Sequence, residues 1–384
     1  MSLFPNHKHK REEGEKNDQD CPCKIRRTTN LPDDCLNLIY KYLKTRDDRN
    51  SFGITCRDWL RIRDNNQESL WYHNNYDPHH KYEPASKYPK ISPESLAIIT
   101  CKLLIRFQHL KILSLGRLPR ITDVDTLNSQ SFVSNVQTLL INPCSYYSPE
   151  YSDIQLSMIF SWFPRLTCIS LRSSGITDKG LETLAKCCSS LKTVNLEKCC
   201  SITDLGLSCV LQNCRELRSL DISWCSSITG SGFLGCAHTL TKLAACECKL
   251  TLEVIKAIVS GGELEYLYLE TVPSELAKVD KGCIINTEAV LTISNGCPLL
   301  KDLFLSNCEE VELEGYEAIG MNCKELEQLY MMGCQRLCDM GLQAICDGCN
   351  KLIEFYIDGE NNSCSSSILE HYFDGKKPEV ILWS

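Results

Sequence analysis

No apolar run in the chain approaches the roughly eighteen residues that a membrane-spanning helix needs. The segment after Met1 is charged and contains histidines, where a secretory signal would carry an apolar core. A cytoplasmic location, a nuclear one or both is therefore the expectation. The phosphate-loop pattern G-x4-G-K-[ST], the nucleophile-elbow pattern G-x-S-x-G and the zinc-protease pattern H-E-x-x-H are all missing. No cysteine carries a recognisable neighbouring histidine at a strand–helix junction, as a nucleophile would require. An excess of base is missing too: 41 Lys and Arg face 49 Asp and Glu, for a net charge of −8 and a pI near 5.6. That argues against general nucleic-acid binding, which needs a basic face. No catalytic residue and no cofactor is expected.

Cysteine, by contrast, is abundant, with 26 in 384 residues. Zinc is one reading, but Cys21-x-Cys23 and Cys346-x-x-Cys349 lack a matched second pair. Position explains most of the others. Cys144, Cys199, Cys225, Cys248, Cys308 and Cys334 occupy one place in a repeating unit, and Cys188, Cys214, Cys297, Cys323 and Cys349 a second. Free cysteine is a small, readily buried hydrophobe, so these ladders predict packing rather than metal or disulfide chemistry.

The unit is clearest at 190–215, SLKTVNLEKCCSITDLGLSCVLQNCR. Leu191, Val194 and Leu196 fit L-x-x-L-x-L, the strand pattern of a leucine-rich repeat. Thr203 is placed to cap a helix whose Leu207, Val210, Leu211 and Cys214 fall on one face. The first apolar position recurs at Leu110, Val136, Leu166, Leu191, Leu217, Leu240, Leu264, Leu300, Leu326 and Leu352, mostly about 26 residues apart. About ten units are predicted over 109–384. Val380, Ile381, Leu382 and Trp383 offer a final half-strand. At ~150 residues per domain the length would suggest two or three domains. A solenoid breaks that rule and favours one small domain plus one long array.

Before the array, residues 1–28 are polar and read as a disordered tail. Pro32 opens a helix at 31–43 with Asp33 and Asp34 in its first turn, and Leu36, Ile39, Tyr40 and Leu43 form its stripe. Phe52, Cys56, Trp59 and Leu60 follow as a second apolar set, and Leu70 and Trp71 are expected to continue that packing. So short a module cannot build much core, which leaves apolar surface for a partner. Residues 73–108 read as a proline-containing connector, with His73, His79 and His80 solvated or locally packed, and a capping helix over 95–107.

Leu31-Pro32, Leu36, Ile39, Leu43, Cys56 and Trp59 resemble the F-box motif, LP-x3-L-x2-I-x3-L followed by C-x2-W. Gly53 and Thr55 stand where apolar residues are commoner in that motif. Ile-Thr-Asp at 121–123, 176–178 and 202–204, with the two cysteine positions, resembles the repeats of plant-type F-box/leucine-rich-repeat proteins. The resemblance covers roughly 31–375 and implies an α/β fold: a right-handed leucine-rich-repeat solenoid, or horseshoe, with a parallel concave sheet, preceded by a small all-α F-box at 29–72. It further implies a non-catalytic substrate receptor of an SCF-type cullin–RING ubiquitin ligase. Leu31, Pro32, Leu36, Ile39, Leu43, Cys56 and Trp59 would dock a Skp-type adaptor and, through it, the cullin and RING subunits. The substrate protein is unspecified, and neither nucleic acid nor a membrane is an expected partner. Eight ligands in a RING arrangement are missing, so ubiquitin transfer would belong to the complex. A scaffold, or a ligand-dependent receptor without a ubiquitylation role, stands as the alternative.

In L-x-x-L-x-L the leucines face the core and the residues between them face the concave side. The residue before the third apolar position is Ser114, Leu140, Ser170, Asn195, Asp221, Ala244, Tyr268, Phe304, Tyr330 and Tyr356 in successive units. The last four are aromatic, and strands ~4.8 Å apart would stack them in a column. With Trp224, Tyr266 and the acids Glu270, Asp302 and Asp358, they are expected to bind substrate, accepting a segment with apolar residues and Lys or Arg. Cross-strand stacking that only stiffens the sheet is the competing explanation. Two units are longer than the rest, around Tyr146–Pro149 and at 273–284. The excess is either a binding-side loop or a tolerated surface insertion.

Overall fold

The computed structural model describes residues 31–72, 106–116, 134–142, 153–235, 239–270, 285–359, 362–372 and 378–383. The expectations for the tail, the connector with its three histidines, the cap helix over 95–105, Cys21, Cys23, Cys144, the motif at 121–123 and both long insertions lie outside them. The chain divides into two compact units at Arg63/Asp64.

The described part of the first unit holds helices α1 (Asp33–Tyr42), α2 (Arg46–Ile54) and most of α3 (Arg57–Asn65), whose last two residues fall past the boundary. Pro32 precedes α1 with φ −53°, and Asp33 and Asp34 fill its first turn as expected. Thr45 caps α2 by accepting the Asp48 N–H at 3.1 Å. Leu36, Tyr40, Phe52 and Ile62 form a miniature core, with Leu43 and Trp59 packed against it.

The second unit is one parallel sheet of twelve strands in chain order. These are β1 (Ser69–Tyr72), β2 (Ile112–Gly116), β3 (Thr138–Asn142), β4 (Cys168–Ser170), β5 (Thr193–Asn195), β6 (Ser219–Asp221), β7 (Lys242–Ala244), β8 (Tyr266–Leu269), β9 (Asp302–Leu305), β10 (Gln328–Met331), β11 (Glu354–Asp358) and β12 (Glu379–Trp383). The ten strands anticipated from the leucine pattern are all present, and β12 is the half-strand foreseen at the end. The strand β1 was not foreseen. Its pairing with β2 places Leu70 against the solenoid core, which corrects the expectation that Leu70 continues the helical module. The physical reason is that a parallel edge strand satisfies the backbone of β2, which short helices cannot do.

Helices α4 (Asp153–Trp162), α5 (Asp178–Cys187), α6 (Asp204–Asn213), α7 (Leu252–Val259), α8 (Thr287–Gly296), α9 (Leu313–Asn322), α10 (Asp339–Gly348) and α11 (Ser366–Tyr372) complete the repeats. In the short repeat after Leu217 one 3-10 turn, Ser231–Phe233, replaces the helix, entered through Gly230 at φ 84°.

Three ladders explain why this sequence stacks. The first is the Ile-Thr-Asp motif. Thr203 caps α6 as expected, accepting from Leu205 N at 3.2 Å. The Asp of each described motif reaches forward: Asp178 accepts the Thr203 N–H at 2.7 Å, its hydroxyl at 2.6 Å and the Gly206 N–H at 3.1 Å. Asp204 treats Thr229 and Gly232 in the same way. Each aspartate therefore satisfies orphan donors at the start of the next repeat. A Cβ at Gly206 would press on the Asp178 carboxylate, so the glycine makes that approach possible.

The second ladder is a left-handed residue after each of six strands, β4 to β7, β9 and β10: Ser173, Lys198, Trp224, Glu247, Asn307 and Gly333 all have φ between 55° and 66°. The chain turns there and drives the next residue inward: Ser174 after Ser173, and a cysteine after each of the other five. Cys199, Cys225 and Cys248 are buried, and their thiols reach the carbonyls of Leu171, Leu196 and Ile222 at 3.0, 3.1 and 3.1 Å. The helix-end cysteines form the third ladder, with Cys188, Cys214, Cys297, Cys323 and Cys349 all buried. The packing role expected of both cysteine sets is what the structure shows for their described members.

Candidate functional site

Two surfaces stand out, one on each unit. On α1 the inward stripe is Leu36, Tyr40 and Leu43, spaced i, i+4 and i+7. A second stripe, Cys35, Leu38, Ile39 and Tyr42, faces solvent. Leu36 is 2% exposed, whereas Tyr42 is 77% and Ile54 of α2 80% exposed. Of the residues expected to contact an adaptor, Leu36 thus lies in the core, and Leu43 and Trp59 are half-buried. Trp59 stacks on Phe52 with ring centres 4.4 Å apart. Leu31, Pro32, Ile39 and Cys56 are exposed. The single stripe expected of Leu36, Ile39, Tyr40 and Leu43 divides: Leu36 and Tyr40 turn into the core, and Ile39 turns toward solvent. Leu38, Tyr42 and Ile54 were missed, although Leu38 and Tyr42 show the same i, i+4 spacing as the core pair.

The sheet presents the second surface. Strand register aligns Ser114, Leu140, Ser170, Asn195, Asp221, Ala244, Tyr268, Phe304, Tyr330 and Tyr356 in one row, with Ile381 as its last member. Phe304 and Tyr330 stack at 5.4 Å, and Tyr330 and Tyr356 at 4.3 Å with planes 4° apart. The rings are half-buried, because each covers the faces of its neighbours. Ser114, next to Trp71 in register toward the other end of the row, is fully buried.

Beside the rings runs a second row: Lys242, Tyr266, Asp302, Gln328, Glu354 and Glu379. Tyr268 does not simply continue the stack. Its hydroxyl donates to Asp302 Oδ2 at 2.7 Å, and the Lys242 ammonium lies 5.3 Å from its ring centre and 5.7 Å from that of Tyr266. Tyr356 donates to Glu354 Oε2 at 3.0 Å, and the Gln328 amide donates to the same oxygen at 3.1 Å. Burial pushes the Asp302 carboxyl upward, against the Tyr268 hydrogen bond and the Lys242 charge. Asp302 Oδ1 is buried and has no hydrogen-bond partner among the described residues. Burial also raises the Tyr356 phenol, to about 12, helped by the adjacent Glu354.

Tyr266, Tyr268, Asp302, Phe304, Tyr330, Tyr356 and Asp358 therefore lie on adjoining strands, and Glu270 directly follows β8. Trp224 does not belong with them. It sits in the turn after β6 at φ 64°, 42% exposed, with the Lys198 ammonium 5.7 Å from its ring. Gln328 and Glu379 were overlooked. Gln328 was legible one alternation before Tyr330, whereas β12 lacks the leucine pattern that would have aligned Glu379.

Among the described residues, no three His, Cys, Asp or Glu side chains are grouped to hold a metal ion, and no helix is long and apolar enough to cross a membrane.

A profile described as "Leucine Rich repeat" matches residues 165–185, 187–211 and 213–233. F-box/LRR-repeat protein 12 of Arabidopsis thaliana is 40% identical over 291 residues, covering 75% of this chain and 69% of that protein. Among solved structures, the yeast complex of Rad7 and Elc1 aligns over 91% of this chain and 92% of the matched one, at 15% identity with a TM-score of 0.50. That level of identity speaks to the fold alone.

Proposed function

The chain belongs to the F-box/LRR-repeat family, and from that premise we propose that it is the substrate-recognition subunit of an SCF-type cullin–RING E3 ubiquitin ligase. The helical module docks a Skp-type adaptor, which brings the cullin and RING subunits. The concave sheet holds a substrate protein for ubiquitination and proteasomal degradation. The chain performs no chemistry of its own: holding a substrate near the charged conjugating enzyme raises its effective concentration there. It acts in the cytoplasm, the nucleus or both.

The observation that carries this reading is the second apolar stripe of α1. One helix face, with Leu36 and Tyr40, completes the module's core, and Leu38, Ile39 and Tyr42 remain apolar on the other. Ile54 adds to the exposed set. A helix that is apolar on two faces is built to be covered twice, once by its own fold and once by a partner. Leu31, Pro32, Ile39 and Cys56 supply the exposed part of the motif. Leu36, Leu43 and Trp59 act by shaping it.

The test is co-purification with a Skp-type adaptor and a cullin. A Tyr42→Asp/Ile54→Asp double variant is expected to fold normally and lose both partners. Leu36→Asp is a poor probe, because it would destroy the miniature core. Wild-type chain that captures no adaptor, or a double variant that captures it undiminished, overturns the proposal.

A further inference from the structure

The two halves of the sheet differ in kind. Strands β2 to β6 contain no aromatic side chain and no base. Their polar groups answer one another: Asn195 Nδ2 donates to Asp221 at 3.0 Å, and just beyond the strands Arg172 pairs with Glu197 at 2.9 Å. Those two pairs are satisfied within the sheet face itself, although Ser114 Oγ of β2 is buried without a hydrogen-bond partner among the described residues. Strands β8 to β11 hold Tyr266, Tyr268, Phe304, Tyr330 and Tyr356, and strands β9 to β12 hold the acids Asp302, Glu354, Asp358 and Glu379. Across β7 to β12 the one base within a strand is Lys242. That lysine already lies against the rings of Tyr266 and Tyr268, at the upstream end of the aromatic set.

We propose that the aromatic half of the sheet binds a substrate segment in which a Lys or Arg lies within two residues of apolar side chains, with Asp302 receiving the cation. The proposal rests on the receptor reading above and names the class of substrate. The stacked rings use their faces on one another, so they offer edges and hydroxyls over a continuous apolar ridge. Apolar substrate side chains fit that ridge. Acids border it on both sides, and an anionic or phosphorylated segment would meet repulsion. Asp302 is distinguished from the other acids by its setting. One of its oxygens is held by Tyr268, and the other is buried beside the ridge without a hydrogen-bond partner among the described residues. An incoming ammonium or guanidinium would complete it. Burial disfavours the Asp302 carboxylate in the free protein, and a bound cation would relieve that. Stacking that merely stiffens the sheet would account for the rings, but it leaves the acidic borders unexplained.

The test selects a phage-displayed library of random peptides on the full chain held by its adaptor, then measures the affinity of the best peptides for wild type and variants. Selected peptides are expected to carry Lys or Arg within two residues of an aliphatic or aromatic residue. Asp302→Asn keeps an acceptor for the Tyr268 hydroxyl and is expected to weaken them about thirtyfold or more, the scale of losing one partner of a desolvated charge pair. Asp302→Lys, with its melting temperature checked, is expected to select acidic peptides instead, an exchange that a purely structural role would not produce. Phe304→Ser/Tyr330→Ser should abolish binding while the fold persists. Peptides without basic residues, binding indifferent to Asp302 and the rings, or no selection at all each overturn the proposal. If adaptor capture persists in those cases, the receptor reading survives; if capture is also lost, both readings fall.

Discussion

Cysteine chemistry in this chain is decided by the backbone turn that precedes each residue. A left-handed residue at 198, 224 or 247 aims the next thiol at a carbonyl of the preceding repeat, where burial pushes Cys199 up to about 11 and Cys248 up to about 12. The helix-end thiols behave alike, with Cys214 raised to about 11 and Cys297 to about 12. Since the thiolate is the reactive form, these positions lose at least about two orders of magnitude of thiolate at neutral pH relative to a free cysteine. Cys35, Cys56 and Cys200 are exposed. Peptide mapping after brief iodoacetamide treatment of the native protein is therefore expected to show label at those three. Cys199, Cys225, Cys248, Cys297 and Cys323 should stay unmodified until denaturant is added. Fast native labelling of Cys199 would contradict the packing role. The cysteine content is large because two positions per repeat each need a small apolar group.

At the scale of the element, the joints between repeats rest on single aspartates. Asp178 joins one repeat to the next through three hydrogen bonds, and Asp178→Ala is expected to destabilise the array by about 3 kcal/mol, combining a lost cap with lost charge-assisted bonds. Thermal denaturation would measure it; a change below 0.5 °C in melting temperature would mean the joint is held elsewhere. These joints also set the response to acid. Burial alone would raise the Asp204 carboxyl, but hydrogen bonds from Thr229 and Gly232 outweigh it and hold it below the ordinary carboxylate range. Ser365 lowers Asp339 by the same kind of bond. A carboxyl depressed by folding contributes stability above its unfolded pKa and loses it as pH falls through the folded value. Melting temperature should therefore be flat near neutral pH and fall below about pH 4. Asp204→Asn should be less stable at neutral pH and less sensitive to acid. Thr203 was legible as a cap because its neighbours repeat, and the leucine spacing made ten strands legible. The forward reach of Asp178 was not, since it joins residues 25 apart in sequence that meet only once the helices stack. β1 escaped for a related reason: SLWY has no repeat of its own, and its partner lies some forty residues downstream. On the concave face the ring column followed from strand alternation, but the turn of Tyr268 toward Asp302 is a side-chain choice that spacing does not encode.

For the whole molecule, a twelve-strand parallel sheet in chain order has two edges and stability that is local to each joint. Such an array must end in something that cannot pair further, or the edge becomes a template for another chain. At the C-terminal end of the described sheet β12 covers β11. It pairs in register from Glu354↔Glu379 to Asp358↔Trp383, Val380 is fully buried, and Phe355 and Ile357 beneath it are fully buried too. Deleting 378–384 would strip the outer row of hydrogen bonds from β11 and bare those two side chains. Each re-exposed side chain of this size costs about 1.5–3 kcal/mol. Because coupling runs only between neighbours, the damage should stay at that end: hydrogen exchange is expected to quicken in β10, β11 and α10 while β4 to β6 remain protected. The bared strand carries Tyr356, so the truncated protein should also associate in a concentration-dependent way, measurable by light scattering. Uniform loss of protection from β4 to β11 would show instead that the array folds as one cooperative block. A monomer with unchanged exchange would show that β12 does not serve as the cap.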